Sequence, residues 1–193
     1  MKLLFVNACV REKSRTLRLC REYIKTNWND GSAEIHELVL SDEGLEPFNR
    51  KMLERRDADT AAMNFSAARY DCARDFAEAD RILIGAPYWD FGFPALLKVY
   101  LEHVCVNKIT FGYTEEGAPL ALCKAQELIY ITTAGGYIDA AGSLRSYWKE
   151  MCELFGIPKL RMYTAEGLDI VGKDAEKIMG EAVLQFAQRG AED

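Results

Sequence analysis

The chain has 193 residues, of which 49% are hydrophobic, and its 24 basic and 30 acidic side chains give a formal net charge of −6. This composition excludes a disordered chain and a collagen-like chain, and it predicts a single domain over residues 1–193 with a core of its own. The acidic balance disfavours nucleic acid and anionic membranes as partners.

The apolar patterns predict an alternation of strands and helices. In chain order they are a strand over 3–6, a helix from Ser14 to Trp28, a strand over 33–40, a helix capped by Ser66, a strand over 81–86, a helix over 93–104, a strand over 127–132, a helix over 144–155, a strand over 160–165 and a helix over 175–186. The charged stretch 41–60 is predicted to be irregular, and the aromatic stretch 109–122 to be an excursion before the fourth strand.

Strand and helix alternate five times, with helices long enough to connect parallel strands. We therefore expect an α/β fold, a three-layer sandwich with helices on both faces of a five-stranded parallel sheet of order 2-1-3-4-5. Such a sheet places its ligand crevice at the carboxyl ends of the first, third and fourth strands. Functional residues are to be sought there.

A group of basic residues and hydroxyls follows the first strand, with Arg11, Lys13 and Arg15 interleaved among Ser14 and Thr16. The free N–H groups at the start of a helix carry partial positive charge, so this segment predicts a phosphate-binding site. The alternative is an ordinary serine cap on a surface helix. The sequence has no G-x-G-x-x-G, no G-x-x-x-x-G-K-S/T and no G-x-S-x-G, which disfavours a dinucleotide, a triphosphatase loop and a serine hydrolase.

Cys9 to Thr16 also spells C-x5-R-T, which resembles the phosphate-binding loop of low-molecular-weight tyrosine phosphatases. In such a loop the cysteine thiolate, here Cys9, attacks a phosphate held by the arginine, here Arg15. The sequence lacks the Asp-Pro dipeptide that usually supplies the acid in that family, and its loop has no small residues over 10–13. The phosphatase stays as a remote alternative.

Two further strand ends carry residues suited to a flat ring. After the third strand stand Pro87, Tyr88, Trp89, Asp90 and Phe91, and after the fourth stand Thr133, Ala134, Gly135, Gly136 and Tyr137. Aromatic faces and bare backbone can hold a planar heteroaromatic ring with polar edges, although the rings could also simply plug the end of the core. A phosphate at one strand end and a flat ring between two others together describe flavin mononucleotide (FMN).

With these motifs in place, the chain resembles the flavodoxin-like NAD(P)H:quinone reductases and, within them, the FMN-dependent NADH azoreductases. The resemblance rests on S-x-S/T-x-x-L at 14–19, A-P-x-x-x-F at 86–91 and T-F-x-Y-T-x-x-G at 110–117. It implies a homodimer with each FMN at the subunit interface, which takes electrons from NADH or NADPH and passes them to a quinone or azo compound by ping-pong transfer. Phe111 and Tyr113 are implied to wall the substrate pocket.

The chain departs from that family at two positions. Asp90 stands where the family often has an asparagine near the flavin, and an ionised carboxylate cannot donate a hydrogen bond. Tyr137 follows the two glycines where azoreductases tend to have histidine, so protonation of the substrate falls to Tyr137, Tyr113 or water. A second interpretation is a non-catalytic electron carrier of the flavodoxin type, although the T-x-T-G-x-T loop of flavodoxins is absent.

The amino-terminal apolar stretch is too short for a signal peptide, and no uncharged apolar run approaches the roughly 18 residues of a membrane-spanning helix. We therefore expect a cytoplasmic protein. Six cysteines without a C-x-x-C pair and only two histidines predict neither a zinc site nor a disulfide framework.

Overall fold

The structure is a computed structural model that describes residues 1–138 and 142–188. The elements in chain order are β1 Lys2–Asn7, α1 Arg15–Trp28, β2 Glu34–Val39, α2 Arg50–Ala61, α3 Asp71–Glu78, β3 Arg81–Gly85, α4 Ala95–Val104, β4 Phe111–Tyr113, β5 Pro119–Ala121, β6 Glu127–Thr133, α5 Ser143–Phe155, β7 Lys159–Ala165 and α6 Ala175–Gln188.

Five of the strands form the predicted parallel sheet, in the order β2-β1-β3-β6-β7. Because β4 and β5 pair only with each other, this is the predicted order 2-1-3-4-5 with β6 and β7 as fourth and fifth strands. One apolar cluster packs α1 and α6 against one face of the sheet. A second packs α3, α4 and α5 against the other, so the three-layer α/β sandwich is confirmed.

The parallel register brings the carboxyl ends of the central strands to one edge of the sheet. Asn7 of β1 pairs with Gly85 of β3, and Gly85 pairs with Ile131 of β6. Backbone bonds continue past the strand ends, from Ala8 N–H to the Gly85 carbonyl at 2.9 Å and from Ala86 N–H to the Ile131 carbonyl at 3.1 Å. The loops after the three strands therefore leave the sheet side by side.

Helix α1 is fixed tightly against the sheet. Ser14 caps it as predicted, because its Oγ accepts the Leu17 N–H at 3.2 Å. Cys20 of α1 lies so close to Gly85 that a Cβ at position 85 would come within 2.5 Å of the Cys20 Sγ. Glycine at the end of β3 therefore allows α1 to lie this close to the sheet.

Two local predictions are wrong. The stretch 41–60 is not irregular throughout, since it contains most of α2, which Asn49 caps through a bond from Met52 N–H. None of the α2 residues is buried, so no apolar period marks the helix in the sequence. Ser66 does not cap a helix either: its hydroxyl bonds the Asn64 side chain, and a short 3-10 turn precedes α3.

The aromatic stretch 109–122 folds as a small antiparallel hairpin of β4 and β5. Thr110, which is buried, anchors its base by donating to the Val104 carbonyl at 2.8 Å. Gly156 ends α5 in the left-handed region, as the sequence indicates, and a Cβ there would collide with Ala121 of β5. The hairpin therefore packs against the end of α5.

We expect Gly85→Ala to destabilise the fold by about 1–3 kcal/mol, because the added methyl overlaps the Cys20 Sγ and either this side chain or α1 must shift. Urea unfolding measures the effect. Gly180→Ala is the matched control: Gly180 is an exposed position of α6 with open space around it, so the same change should stabilise by about 0.5–1 kcal/mol. Equal effects at both positions would contradict the packing argument.

Candidate functional site

A cavity of about 340 Å³ opens at the edge of the sheet where β1, β3 and β6 end. This volume lies within the range of small-molecule sites. Its lining comprises Val10, Arg11, Lys13, Ser14, Arg15, Thr16, Pro87, Tyr88, Trp89, Thr133, Ala134, Gly135, Leu168 and Asp169. The three segments that the sequence singled out thus meet in one cavity.

The start of α1 forms the basic end of the cavity. Arg11, Lys13 and Arg15 line it, and the first turn of α1 contains no acidic residue. The first N–H groups of a helix lack carbonyl partners within the helix and carry partial positive charge. Thr16, which is buried, shares a hydroxyl–hydroxyl bond of 2.7 Å with Thr133 at the end of β6. That bond ties the basic end to the neighbouring strand end.

Arg15 is held by a loop that the sequence analysis did not single out. Its Nη1 donates to the Leu168 carbonyl at 3.0 Å and its Nη2 to the Asp169 carboxylate at 2.6 Å. Leu168 and Asp169 lie between β7 and α6, more than 150 positions along the chain from Arg15. No local pattern signals such a pairing, because it arises only when the sheet brings the two loops together.

The loop after β3 forms a second wall. Tyr88 N–H donates to the Thr133 carbonyl at 3.0 Å, and the Arg11 guanidinium lies 5.9 Å from the centre of the Trp89 ring. Asp90 and Phe91 make a tight turn with positive φ of 49° and 62°, closed by Gly92 N–H bonding the Trp89 carbonyl. A bulky residue such as Phe91 adopts this conformation only under strain.

That turn carries two predicted binding residues away from the cavity lining. Asp90 is exposed, and Phe91 is 84% exposed. Neither lines the cavity, although Pro87, Tyr88 and Trp89 all do. Contact of Asp90 and Phe91 with a ligand stays a prediction.

The third wall is the segment after β6, which backbone bonds join to the loop after β7. Leu168 N–H bonds the Ala134 carbonyl at 3.2 Å, and Asp169 N–H bonds the Gly135 carbonyl at 2.9 Å. A Cβ on Gly135 would collide with the Asp169 carboxylate, so a larger residue at position 135 would displace that side chain. Gly136 is exposed and lies outside the lining, and its role stays a prediction.

The three predicted pocket residues also lie outside the cavity lining. Phe111 and Tyr113 of β4 contact each other edge to face, with ring centres 5.9 Å apart, and Tyr113 is 57% exposed. Tyr137 is 67% exposed, and its hydroxyl accepts a 2.9 Å bond from Lys173 Nζ. Their part in a substrate pocket therefore stays a prediction.

Cys9 sits behind the basic end of the cavity rather than in its lining. It is buried, its Sγ lies 3.6 Å from the Gly85 carbonyl, and burial raises the pKa of the thiol to about 11. A phosphatase nucleophile needs a thiolate at neutral pH, which requires a lowered pKa. The environment of Cys9 therefore speaks against the phosphatase alternative.

Within the part of the chain that the structure describes, no group of three or more His, Cys, Asp or Glu side chains could hold a metal ion. Over the same residues, no helix has the length and apolar character to cross a membrane. All six cysteines are free thiols.

The sheet order and the cavity at its carboxyl edge define an α/β protein of the flavodoxin-like class. The model of the flavodoxin-like fold family matches residues 1–189, and the chain belongs to that family. Two curated relatives carry similar names. FMN-dependent NADH:quinone oxidoreductase 2 of Clostridium acetobutylicum is 30% identical over 200 residues, with 99% of this chain and 98% of the relative covered. FMN-dependent NADH:quinone oxidoreductase of Clostridium beijerinckii is 33% identical over 194 residues, with 94% of each chain covered.

A solved structure supports the fold independently. The azoreductase from Bacillus anthracis str. Sterne superposes with a TM-score of 0.82 over the whole of both chains, at 23% identity. At that identity the likeness concerns the fold alone. The resemblance stated from the sequence motifs is thus confirmed at the level of family and fold.

The buried thiol of Cys9 gives a direct chemical prediction. At about pH 7.5 the thiol stays protonated, so iodoacetamide should modify Cys9 in the folded protein far more slowly than in urea. The folded rate should rise steeply as the pH approaches 11, because the thiolate then forms. Peptide mass spectrometry measures both rates. Rapid labelling of folded Cys9 at neutral pH would show a reactive thiolate and would support the phosphatase interpretation.

Proposed function

We propose that the protein is an FMN-dependent oxidoreductase that takes electrons from NADH or NADPH and reduces quinones or azo compounds by ping-pong transfer. The observation that carries the proposal is one cavity in which the basic start of α1 faces the backbone of the loops after β3 and β6. The match to the flavodoxin-like fold family and the relatives named as FMN-dependent NADH:quinone oxidoreductases support it.

The basic end of the cavity fits a phosphate monoester. The N–H groups and the Ser14 and Thr16 side chains at the start of α1 are suited to its oxygens, and Lys13 and Arg15 supply positive charge. A phosphate carries about two negative charges near neutral pH, which this cluster can balance locally in a protein of net charge −6. We assign the phosphate of FMN to this end.

The other two walls fit a flat ring. Pro87, Tyr88 and Trp89 offer apolar faces on one side, and Thr133, Ala134 and Gly135 offer main chain with small or no side chains on the other. We extend the ring-binding set to three neighbouring residues outside the lining, Asp90, Phe91 and Gly136.

When bound, FMN supplies reversible two-electron chemistry, so no protein nucleophile is needed. The chain holds the cofactor, covers one side of its ring and keeps the other side open for donor and acceptor in turn. Tyr113 and Tyr137 are exposed, and we propose that they line the acceptor pocket with Phe111 and deliver protons.

Exposed aromatic residues support a homodimer with the active site at its interface. Phe91, Tyr113 and Tyr137 are each more than half exposed. Exposed aromatic residues are typical of interface cores. In the proposed dimer a second copy would close the open side of the ring site, and these residues would then line the pocket at the interface, which a single chain does not provide.

The central experiment is anaerobic reduction of the FMN-loaded protein. NADH should bleach the yellow flavin absorption, and a quinone added afterwards should restore it without further donor. A non-catalytic electron carrier would not be bleached by NADH, and that result would overturn the reductase. As a control, NADH should reduce the Arg18→Ala variant like the wild type, because Arg18 is an exposed residue of α1 that does not line the cavity.

Initial rates test the ping-pong order. Double-reciprocal plots against NADH at several quinone concentrations should give parallel lines, because donor and acceptor would use the same side of the ring in turn. Converging lines would show that both bind together and would contradict the proposed order.

Light scattering tests the dimer. The expected mass is twice the chain mass of 21.8 kDa. Tyr113→Arg should shift the protein toward monomer and lower quinone turnover, since it adds a charge to the proposed interface. The control is Leu184→Arg, which places the same charge at an exposed position of α6 and should change neither the mass nor the turnover. A monomer with full turnover would exclude the shared site.

A further inference from the structure

Asp169 is an unexpected residue in this cavity. Its carboxylate lines a site whose other charged members are the basic residues Arg11, Lys13 and Arg15. A carboxylate repels a phosphate, so by charge alone its presence should weaken the binding of FMN. Its contacts indicate a different role.

The first contact fixes the guanidinium of Arg15. Asp169 Oδ1 accepts from Nη2 at 2.6 Å while the Leu168 carbonyl accepts from Nη1 at 3.0 Å, so two arms of the guanidinium are held by one loop. A long arginine side chain otherwise has many rotamers, and binding a ligand must restrict them. Holding Arg15 in place beforehand removes that cost.

The second contact braces the opposite wall. Asp169 N–H bonds the Gly135 carbonyl at 2.9 Å, and the carboxylate fills the space beside the Gly135 Cα. One residue therefore touches both the arginine at the phosphate end and the backbone at the ring end. Asp169 belongs to the loop after β7. A backbone bond from Gly167 N–H to the Gly136 carbonyl also joins this loop to the segment after β6.

We propose that Asp169 is a positioning residue for the cofactor phosphate: it orders Arg15 and so gives the site its preference for FMN over riboflavin, which lacks the phosphate. The inference rests on the proposed function and assigns a role to a residue that does not bind the cofactor itself. Arg15 keeps further N–H donors for the phosphate while Asp169 and Leu168 hold the other two.

The two roles predict opposite effects of Asp169→Ala on the affinity for FMN. If the carboxylate only repels phosphate, its removal tightens FMN binding. If it positions Arg15, its removal weakens FMN binding, by about 5- to 10-fold, and leaves riboflavin binding within about twofold. Quenching of flavin fluorescence by the apoprotein measures both dissociation constants without any enzyme turnover.

Three further variants sharpen the test. Asp169→Asn keeps an oxygen that can accept from Arg15, so it should bind FMN at least as tightly as the wild type. Arg15→Lys keeps the charge but cannot bridge both acceptors, so it should lose the FMN preference like Asp169→Ala. Glu176→Ala removes the exposed Arg18–Glu176 pair at 3.0 Å, which also joins α1 to the carboxy-terminal part of the chain, and should change neither constant.

In the Arg15→Ala background, Asp169→Ala should no longer weaken FMN binding, since only the repulsion is left to remove. Three results would overturn the inference: FMN binding that tightens in Asp169→Ala, riboflavin affinity that falls as much as FMN affinity, or Asp169→Asn that loses the preference like Asp169→Ala. A wild-type protein that binds no FMN would instead overturn the proposed function, so the two failures are distinct.

Discussion

The site depends on where α1 begins relative to the sheet. The hydroxyl bond between Thr16 and Thr133 fixes the first turn of the helix to the end of β6, and Gly85 lets the helix approach β3 at Cys20. These contacts place the positive end of α1 beside the loops after β3 and β6. A helix start displaced by a few ångströms would separate the phosphate end of the cavity from its ring end.

The positive charge that a phosphate needs is also concentrated at this site. A chain of net charge −6 concentrates Arg11, Lys13 and Arg15 in one cavity, and it leaves the first turn of α1 without an acidic residue. Such a cluster suits a single phosphate group rather than an extended polyanion. Asp169 holds Arg15 of this cluster and offsets part of its charge, and in the role proposed for it a phosphate meets an arginine already in position.

The fold and most of the cavity could be predicted because both follow from local patterns: buried strands, amphipathic helices, and polar or glycine-rich loops after three strands that share an edge. Helix α2 could not, since it buries none of its residues and so leaves no apolar period. The loop of Leu168 and Asp169 could not either, because its role comes from a contact with Arg15 across the fold. The positive φ of Phe91 was equally hidden, since a bulky aromatic residue rarely adopts that conformation.

A crystal structure of the protein with FMN would show directly where the cofactor lies. We expect the phosphate at the start of α1, within hydrogen-bonding distance of Ser14, Arg15 and Thr16, and the ring between Trp89 and the backbone of 133–135. A phosphate bound away from the start of α1, or a ring outside the cavity at the strand ends, would contradict this expectation.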